Sequence, residues 1–222
     1  VVGINNALKS TGAVVVSSPE FNSGSGAMLL IADGFSQTIG TLSGSSGGSM
    51  LNLIGDLTVT QGSDATYAGS LRGTGTFTKA GSNTLTLSNN IIFSGPVVIN
   101  AGSLTMGGDS GLHNSVSLAN TSGVILNLGG NDVFVRNLSG GGTSGGNIVL
   151  GSGELIIDTV SGSNATFTGV ISGTGSVVKK GYGSLTLAAA NTYTGGTTIS
   201  EGSLVVGINN ALKSTGAVVV SS

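Results

Sequence analysis

The chain runs to 222 residues with 41 glycines, two prolines, no cysteine or tryptophan, and only 7 basic and 9 acidic side chains, for a net charge of -2. A charged fraction of 7% beside a hydrophobic fraction of 38% excludes a disordered polyelectrolyte, a collagen and a basic nucleic-acid- or lipid-binding surface. The missing cysteines exclude disulfides and thiolate metal sites, and no apolar run approaches the about 20 residues a membrane-crossing helix needs.

In chain order, short apolar runs alternate with polar or glycine positions at Val14 to Val16, Leu51 to Ile54, Leu57 to Val59, Leu85 to Leu87, Val97 to Ile99, Leu104 to Met106, Val124 to Leu128 and Leu155 to Ile157. Their length and period of two predict strands. Clusters such as Ser43 to Ser49 and Ser139 to Gly146 supply turn residues, several able to take positive φ. Sustained 3.6-residue periodicity is absent, so few helices are expected. With no basic leader ahead of an apolar core, any targeting segment is expected to lie outside this stretch.

Self-comparison is informative twice. VVGINNALKSTGAVVVSS fills Val1 to Ser18 and recurs unchanged from Val205 to Ser222, a period of 204 residues. A shift of 100 residues aligns Ser63 to Gly107 with Ser163 to Gly207 at 18 identities in 45 positions, seven of them glycine. Tyr67 then faces Phe167, and Phe93 faces Tyr193. The chain is therefore expected to be a single continuous segment over 1–222, with residues 1–18 duplicated as 205–222 and diverged half-repeats over about 1–107 and 108–207, its ends falling inside a longer array. A unit in phase with itself stacks linearly, whereas a barrel or sandwich closes. The expected fold is all-β: a right-handed parallel β-helix, or β-solenoid, with rungs of roughly 20 residues, about ten rungs per 204-residue period and an axial repeat near 48 Å.

The stretch GTGSVVKKGYGSLTLAAANTYTGGTTISEGSLVVG, Gly173 to Gly207, resembles the passenger-associated transport repeat, also called the autotransporter-associated β-strand repeat. The pattern residues are Gly173, Gly175, Lys179, Gly181, Gly183, Leu185, Leu187, Asn191, Tyr193, Gly195, Gly196, Ile199, Gly202 and Leu204. A weaker copy from Gly73 to Gly107 keeps Lys79, Gly81, Leu85, Leu87, Gly95, Ile99, Gly102 and Leu104 but replaces most of the NTYTGG turn by Ile91 to Pro96. The resemblance implies a parallel β-helix in a secreted passenger or giant surface protein, outside a Gram-negative cell.

The chemistry-bearing residues are sparse. Asp132, Arg136, Glu154 and Asp158 form the densest charged group, and both spacings of 22 residues are close to one rung. They would set Arg136 beside Asp158 and Asp132 beside Glu154 as an inter-rung ion ladder. His113 stands alone in a glycine-rich turn, which favours a solvated imidazole. Lys79 and Lys179 are expected to point outward at strand ends, discouraging lateral pairing. GGD at Gly107 to Asp109 and GGND at Gly129 to Asp132 do not recur in tandem as calcium-binding nonapeptides do, and the Thr-x-Thr pairs are too irregular for a flat hydroxyl lattice. The aromatics Tyr67, Phe77, Phe93, Phe134, Phe167 and Tyr193 are expected in the core or between rungs.

No catalytic, cofactor or metal site is expected. The expected role is a non-enzymatic structural segment of an extracellular bacterial fibre or adhesin stalk, extended by tandem or head-to-tail stacking of the chain on itself, with a cell-surface or polysaccharide ligand as a further partner and neither nucleic acid nor a membrane span. The alternatives are a carbohydrate-binding adhesin surface and a polysaccharide-cleaving β-helix enzyme.

Overall fold

The computed structural model describes Gly12 and residues 14–15, 27–212 and 216–221. The remainder of the duplicated first segment, and Val16 of the first expected strand, lie outside the described residues. No helix occurs among the described residues.

In chain order the strands are β1 (Val14–Val15), β2 (Met28–Ile31), β3 (Ser36–Ile39), β4 (Leu42–Ser43), β5 (Met50–Leu53), β6 (Asp56–Val59), β7 (Ala65–Tyr67), β8 (Ser70–Gly73) and β9 (Phe77–Lys79). They continue as β10 (Leu85–Leu87), β11 (Ile92–Phe93), β12 (Val97–Ile99), β13 (Ser103–Met106), β14 (Ser110–Leu112), β15 (Val116–Leu118), β16 (Ile125–Asn127), β17 (Val133–Arg136) and β18 (Leu138–Gly140). The last nine are β19 (Asn147–Val149), β20 (Leu155–Asp158), β21 (Asn164–Phe167), β22 (Ile171–Ser172), β23 (Val177–Lys180), β24 (Ser184–Leu187), β25 (Thr197–Ile199), β26 (Ser203–Val206) and β27 (Val218–Val220).

Every strand pairing is parallel and joins strands one turn apart, so the chain winds as a β-solenoid of about ten turns. Three faces result. The first carries β1, β4, β7, β10, β13, β16, β19 and β22, with β4 joined to β7 by Gly44 N–H to Thr66 O and Ala68 N–H to Gly44 O. The second carries β2, β5, β8, β11, β14, β17, β20, β23, β25 and β27, bridged between β8 and β11 by Ser94 N–H to Gly73 O. The third runs unbroken from β3 through β6, β9, β12, β15, β18, β21 and β24 to β26.

Alternation within each strand sends one set of side chains inward, where in-register partners form apolar columns. On the first face Leu85, Leu104, Leu126, Ile148 and Ile171 stack, each fully buried. The outward positions stack too: Thr38, Thr58 and Thr78 on the third face, and Thr66, Thr86 and Thr105 on the first. Turn lengths differ widely, so one circuit takes from 19 residues (Val97 to Val116) to 28 (Val14 to Leu42). Ser43 and Ser139, read as turn residues from sequence, belong to strands because their backbones pair with neighbouring turns.

The aligned half-repeats do not superpose face on face. Phe77 begins β9 on the third face, and four turns later the chain is at β21; two further faces bring it to β23, where Val177 stands. A shift of 100 residues is therefore four and two-thirds turns. The identical segments behave alike. From β1 the first face recurs at β4, β7, β10, β13, β16, β19 and β22, then at Thr192 bonded to Ile171, then at Asn210 bonded to Asn191, and β27 follows on the second face. The 204-residue period is thus nine and one-third turns, about 45 Å along the axis at ~4.8 Å per turn.

Glycine columns at the corners record the same rotation. A Cβ on Gly75 would strike the Gly55 carbonyl, and one on Gly95 the Gly75 carbonyl, at the corner between second and third faces. Gly175, Gly195 and Gly216 repeat the arrangement above Gly153, at the corner between first and second faces. Successive backbones approach there too closely for any side chain.

Candidate functional site: lysine-capped corners and a charged edge

Lys79 and Lys179 are both completely buried, contrary to the outward placement expected from sequence. Strand alternation explains it: Phe77 and Lys79 share the inner side of β9, with Thr78 between them facing out. Lys79 lies in register with Val59 and Ile99, and Lys179 with Ile157 and Ile199, so each ammonium rises from an apolar column.

The charge is satisfied by backbone. Lys79 Nζ donates to Ala80 O at 3.0 Å, Gly81 O at 2.8 Å and Ala101 O at 3.0 Å. Lys179 Nζ donates to Lys180 O at 2.6 Å, Gly181 O at 2.6 Å and Glu201 O at 3.3 Å. Three protons meet three acceptors, two from the lysine's own corner and one from the next turn. Left-handed backbone at Gly81 (φ 76°) and Gly181 (φ 73°) turns the first two carbonyls inward. Gly102 (φ 65°) and Gly202 (φ 66°) do the same beside the third acceptor. Burial pushes Lys79 down to about 8, with the Asp64 carboxylate pulling the other way. Lys179 is lowered by burial as well, opposed by Asp158 and Glu201. A lowered lysine can serve as a nucleophile, but these amines are sealed from solvent with every proton engaged, and what the arrangement does is staple two turns.

The remaining pattern residues divide between core and corner. Leu185 and Leu187 lie buried on the third face. Tyr193 is buried with its hydroxyl 2.6 Å from Thr197 Oγ1, and burial raises its pKa. Asn191, only 4% exposed, stands in for a strand on the first face. Its Oδ1 accepts Ile171 N–H at 2.8 Å and its Nδ2 donates to Ala211 O at 2.6 Å. Gly69, Gly95 and Gly169 each stand two residues after an aromatic whose ring tip occupies the place of a Cβ, namely Tyr67, Phe93 and Phe167. This aromatic-x-Gly corner was visible in the sequence as a spacing and carried no meaning until the ring positions gave it one.

The charged group sits along the second face. Arg136 Nη2 lies 3.4 Å from Asp158 Oδ2, both groups partly open to water. Asp132 does not pair with the Glu154 side chain; its Oδ1 accepts the Glu154 backbone N–H at 2.8 Å. Asp109 Oδ1 does the same for Asp132 N–H at 3.0 Å, and Glu154 Oε2 accepts Ser176 Oγ–H at 3.1 Å. These acids work as corner caps, as Asp56 and Asp64 do for Thr76 and Thr84 N–H. His113 is exposed, its ring centroid 5.0 Å from that of Phe134.

The passenger-associated-transport-repeat family matches twice, over residues 77–106 and 177–206. Two stretches of the chain are thus similar to the passenger-associated transport repeat. Both matches open on the strand that delivers the buried lysine and close just past the third acceptor of its ammonium, so each repeat is a little over one turn plus its staple. Together the repeats span a little over a quarter of the chain. No curated protein and no solved structure matches the chain. No helix among the described residues is long and apolar enough to cross a membrane.

Proposed function

We propose that this solenoid is a non-catalytic, load-carrying segment of a passenger displayed outside a Gram-negative cell, serving as the shaft of a surface fibre or adhesin. The observation that carries the reading is the pair of stretches similar to passenger repeats, built into a parallel stack and each stapling its turn to the next through a buried lysine. Such a shaft gains length by adding turns, each of which contributes its own ladder and apolar layer without altering its neighbours. The ligand-binding tip, on this reading, lies elsewhere in the protein.

The test is labelling of intact cells that carry the full-length protein with an antibody raised against this segment, alongside protease shaving. Labelling without permeabilisation, and loss of the epitope on shaving, are the expected results. Labelling that requires permeabilisation would overturn the surface assignment, and turnover of a polysaccharide by the purified segment would overturn the non-catalytic one.

A further inference from the structure

The second face is not one continuous ladder. β2, β5 and β8 pair among themselves, and β11 pairs with β14 and through it with the strands beyond, but β8 and β11 are not paired with each other. A cleft of about 330 Å³ opens at this break. It is lined by Ser70, Leu71 and Arg72 from one turn and by Asn90, Ile92 and Ser94 from the next, with laddered turns on both sides of it.

The other half-repeat serves as an internal control. Across the shift of 100 residues Arg72 corresponds to Ser172, Asn90 to Ala190 and Ile92 to Thr192, while Gly73 and Gly173 keep the same left-handed backbone, at φ 111° and 121°. Small neutral side chains thus satisfy the fold at these positions, and the guanidinium, the amide and the aliphatic chain are additions to it. A second difference concerns the backbone. Asn191 Oδ1 accepts Ile171 N–H at 2.8 Å, but the counterparts are Ile91 and Leu71, and an isoleucine side chain has no acceptor to offer. Leu71 is 1% exposed with its side chain turned inward, so it lines the cleft with its backbone, and its N–H lacks the partner that the other half supplies.

Arg72 is exposed, and no carboxylate among the described residues lies within ion-pair distance of it, whereas Arg136 has Asp158. A free guanidinium beside an N–H short of an acceptor suits a carboxylate. Ser70, Ser94 and Asn90 add groups that both donate and accept, as a ring of hydroxyls requires. Ile92, 68% exposed, supplies an apolar wall for a C–H face.

We propose that the cleft between β8 and β11 binds a carboxylate-bearing pyranose, a uronic or sialic acid residue of a glycan. Arg72 and Leu71 N–H hold the carboxylate, Ser70, Asn90 and Ser94 meet the hydroxyls, and the ring rests on Ile92. The volume accommodates one such ring with its substituents. No carboxyl group is among the lining residues, so the cleft lacks the acid pair that glycoside cleavage takes. The site lies on the flank of the solenoid and is separate from any ligand-binding tip. It rests on the cleft rather than on the surface role, and its failure would leave the shaft reading standing.

The test is an NMR titration of the 222-residue chain with trigalacturonate, with 3′-sialyllactose and with neutral lactose, at millimolar concentrations. Amide shifts confined to residues 70–73 and 90–94 are expected with at least one acidic sugar, which identifies the source of the carboxylate, and none with lactose. Arg72→Ser, matching Ser172 of the other half, should weaken binding about tenfold or more, and Ile92→Thr should weaken it several-fold. Arg136→Ser removes the same charge elsewhere and should leave the affinity unchanged. Unshifted amides outside the cleft show that each variant is folded. Absence of binding by both acidic sugars, shifts scattered over the surface, lactose binding as tightly as the acids, or equal losses in R72S and R136S would overturn the proposal. A glutamate-rich peptide that binds the cleft more tightly than either sugar would overturn the glycan assignment.

Discussion

Replacing Lys179 by methionine tests the staple most directly. Methionine fills nearly the same volume, so the column between Ile157 and Ile199 stays packed and the change isolates the ammonium. Three carbonyls lose their donor. The bond to Gly181 O is buried, whereas those to Lys180 O and Glu201 O are only partly buried and can be re-satisfied in part by water. One orphaned acceptor at full cost and two at reduced cost, less the recovered desolvation of the charge, come to about 2–4 kcal/mol. Turns of a solenoid open locally as well as globally, so the assay is amide hydrogen exchange alongside urea unfolding. Protection should fall selectively at the amides of turns containing Lys179 and Glu201, with the exposed Lys180→Met as the control that leaves it unchanged. A K179M chain as protected as the control, or more so, would show that burying the charge costs more than the three bonds return, and would refute the staple.

Further outcomes follow from the same geometry. Burial lowers Lys79 from 10.5 to about 8 in the folded chain, so between those values the unfolded chain binds the proton more tightly and the penalty of burying the charge disappears as pH rises. The stability of the unsubstituted chain should therefore gain on that of Lys79→Met from about pH 8 to 10.5 in urea titrations, and a gap that is flat or narrows would contradict the assignment. Asn191→Ala strips a donor and an acceptor from buried backbone partners and should cost about 2–4 kcal/mol, whereas Leu187→Met in the neighbouring strand should cost less than about 1.5; equal losses would argue against the strand-replacing role. Arg136→Ala removes an ion pair open to water on both sides and should change stability by no more than about 0.5 kcal/mol, measured by the same unfolding curves.

Strand positions were legible because Leu85-x-Leu87 or Val97-x-Ile99 states its own parity, and the structure places β10 and β12 on those residues. Parity also held the answer for Lys79, which shares the inner side with Phe77. The reading of Lys79 as an outward strand-end guard set that parity aside, since nothing local shows that three carbonyls will converge on Nζ. Strands such as β18 and β22, made of Leu-Ser-Gly and Ile-Ser, carry too little periodicity to register alone and exist because adjacent turns pair with them. The third-of-a-turn offset between half-repeats was hidden for a different reason. Sequence identity fixes which residues correspond, but the face they occupy depends on the sum of turn lengths, and those range from 19 to 28 residues per circuit.

The outward threonine columns bear on how the surface meets its solvent. With hydroxyls stacked turn upon turn and only 7% of residues charged, hydration rests on neutral dipoles that counterions do not screen. Added salt shortens the reach of charges, and this surface offers it few charges to act upon. Fresh water and brine are, to such a rod, nearly the same medium.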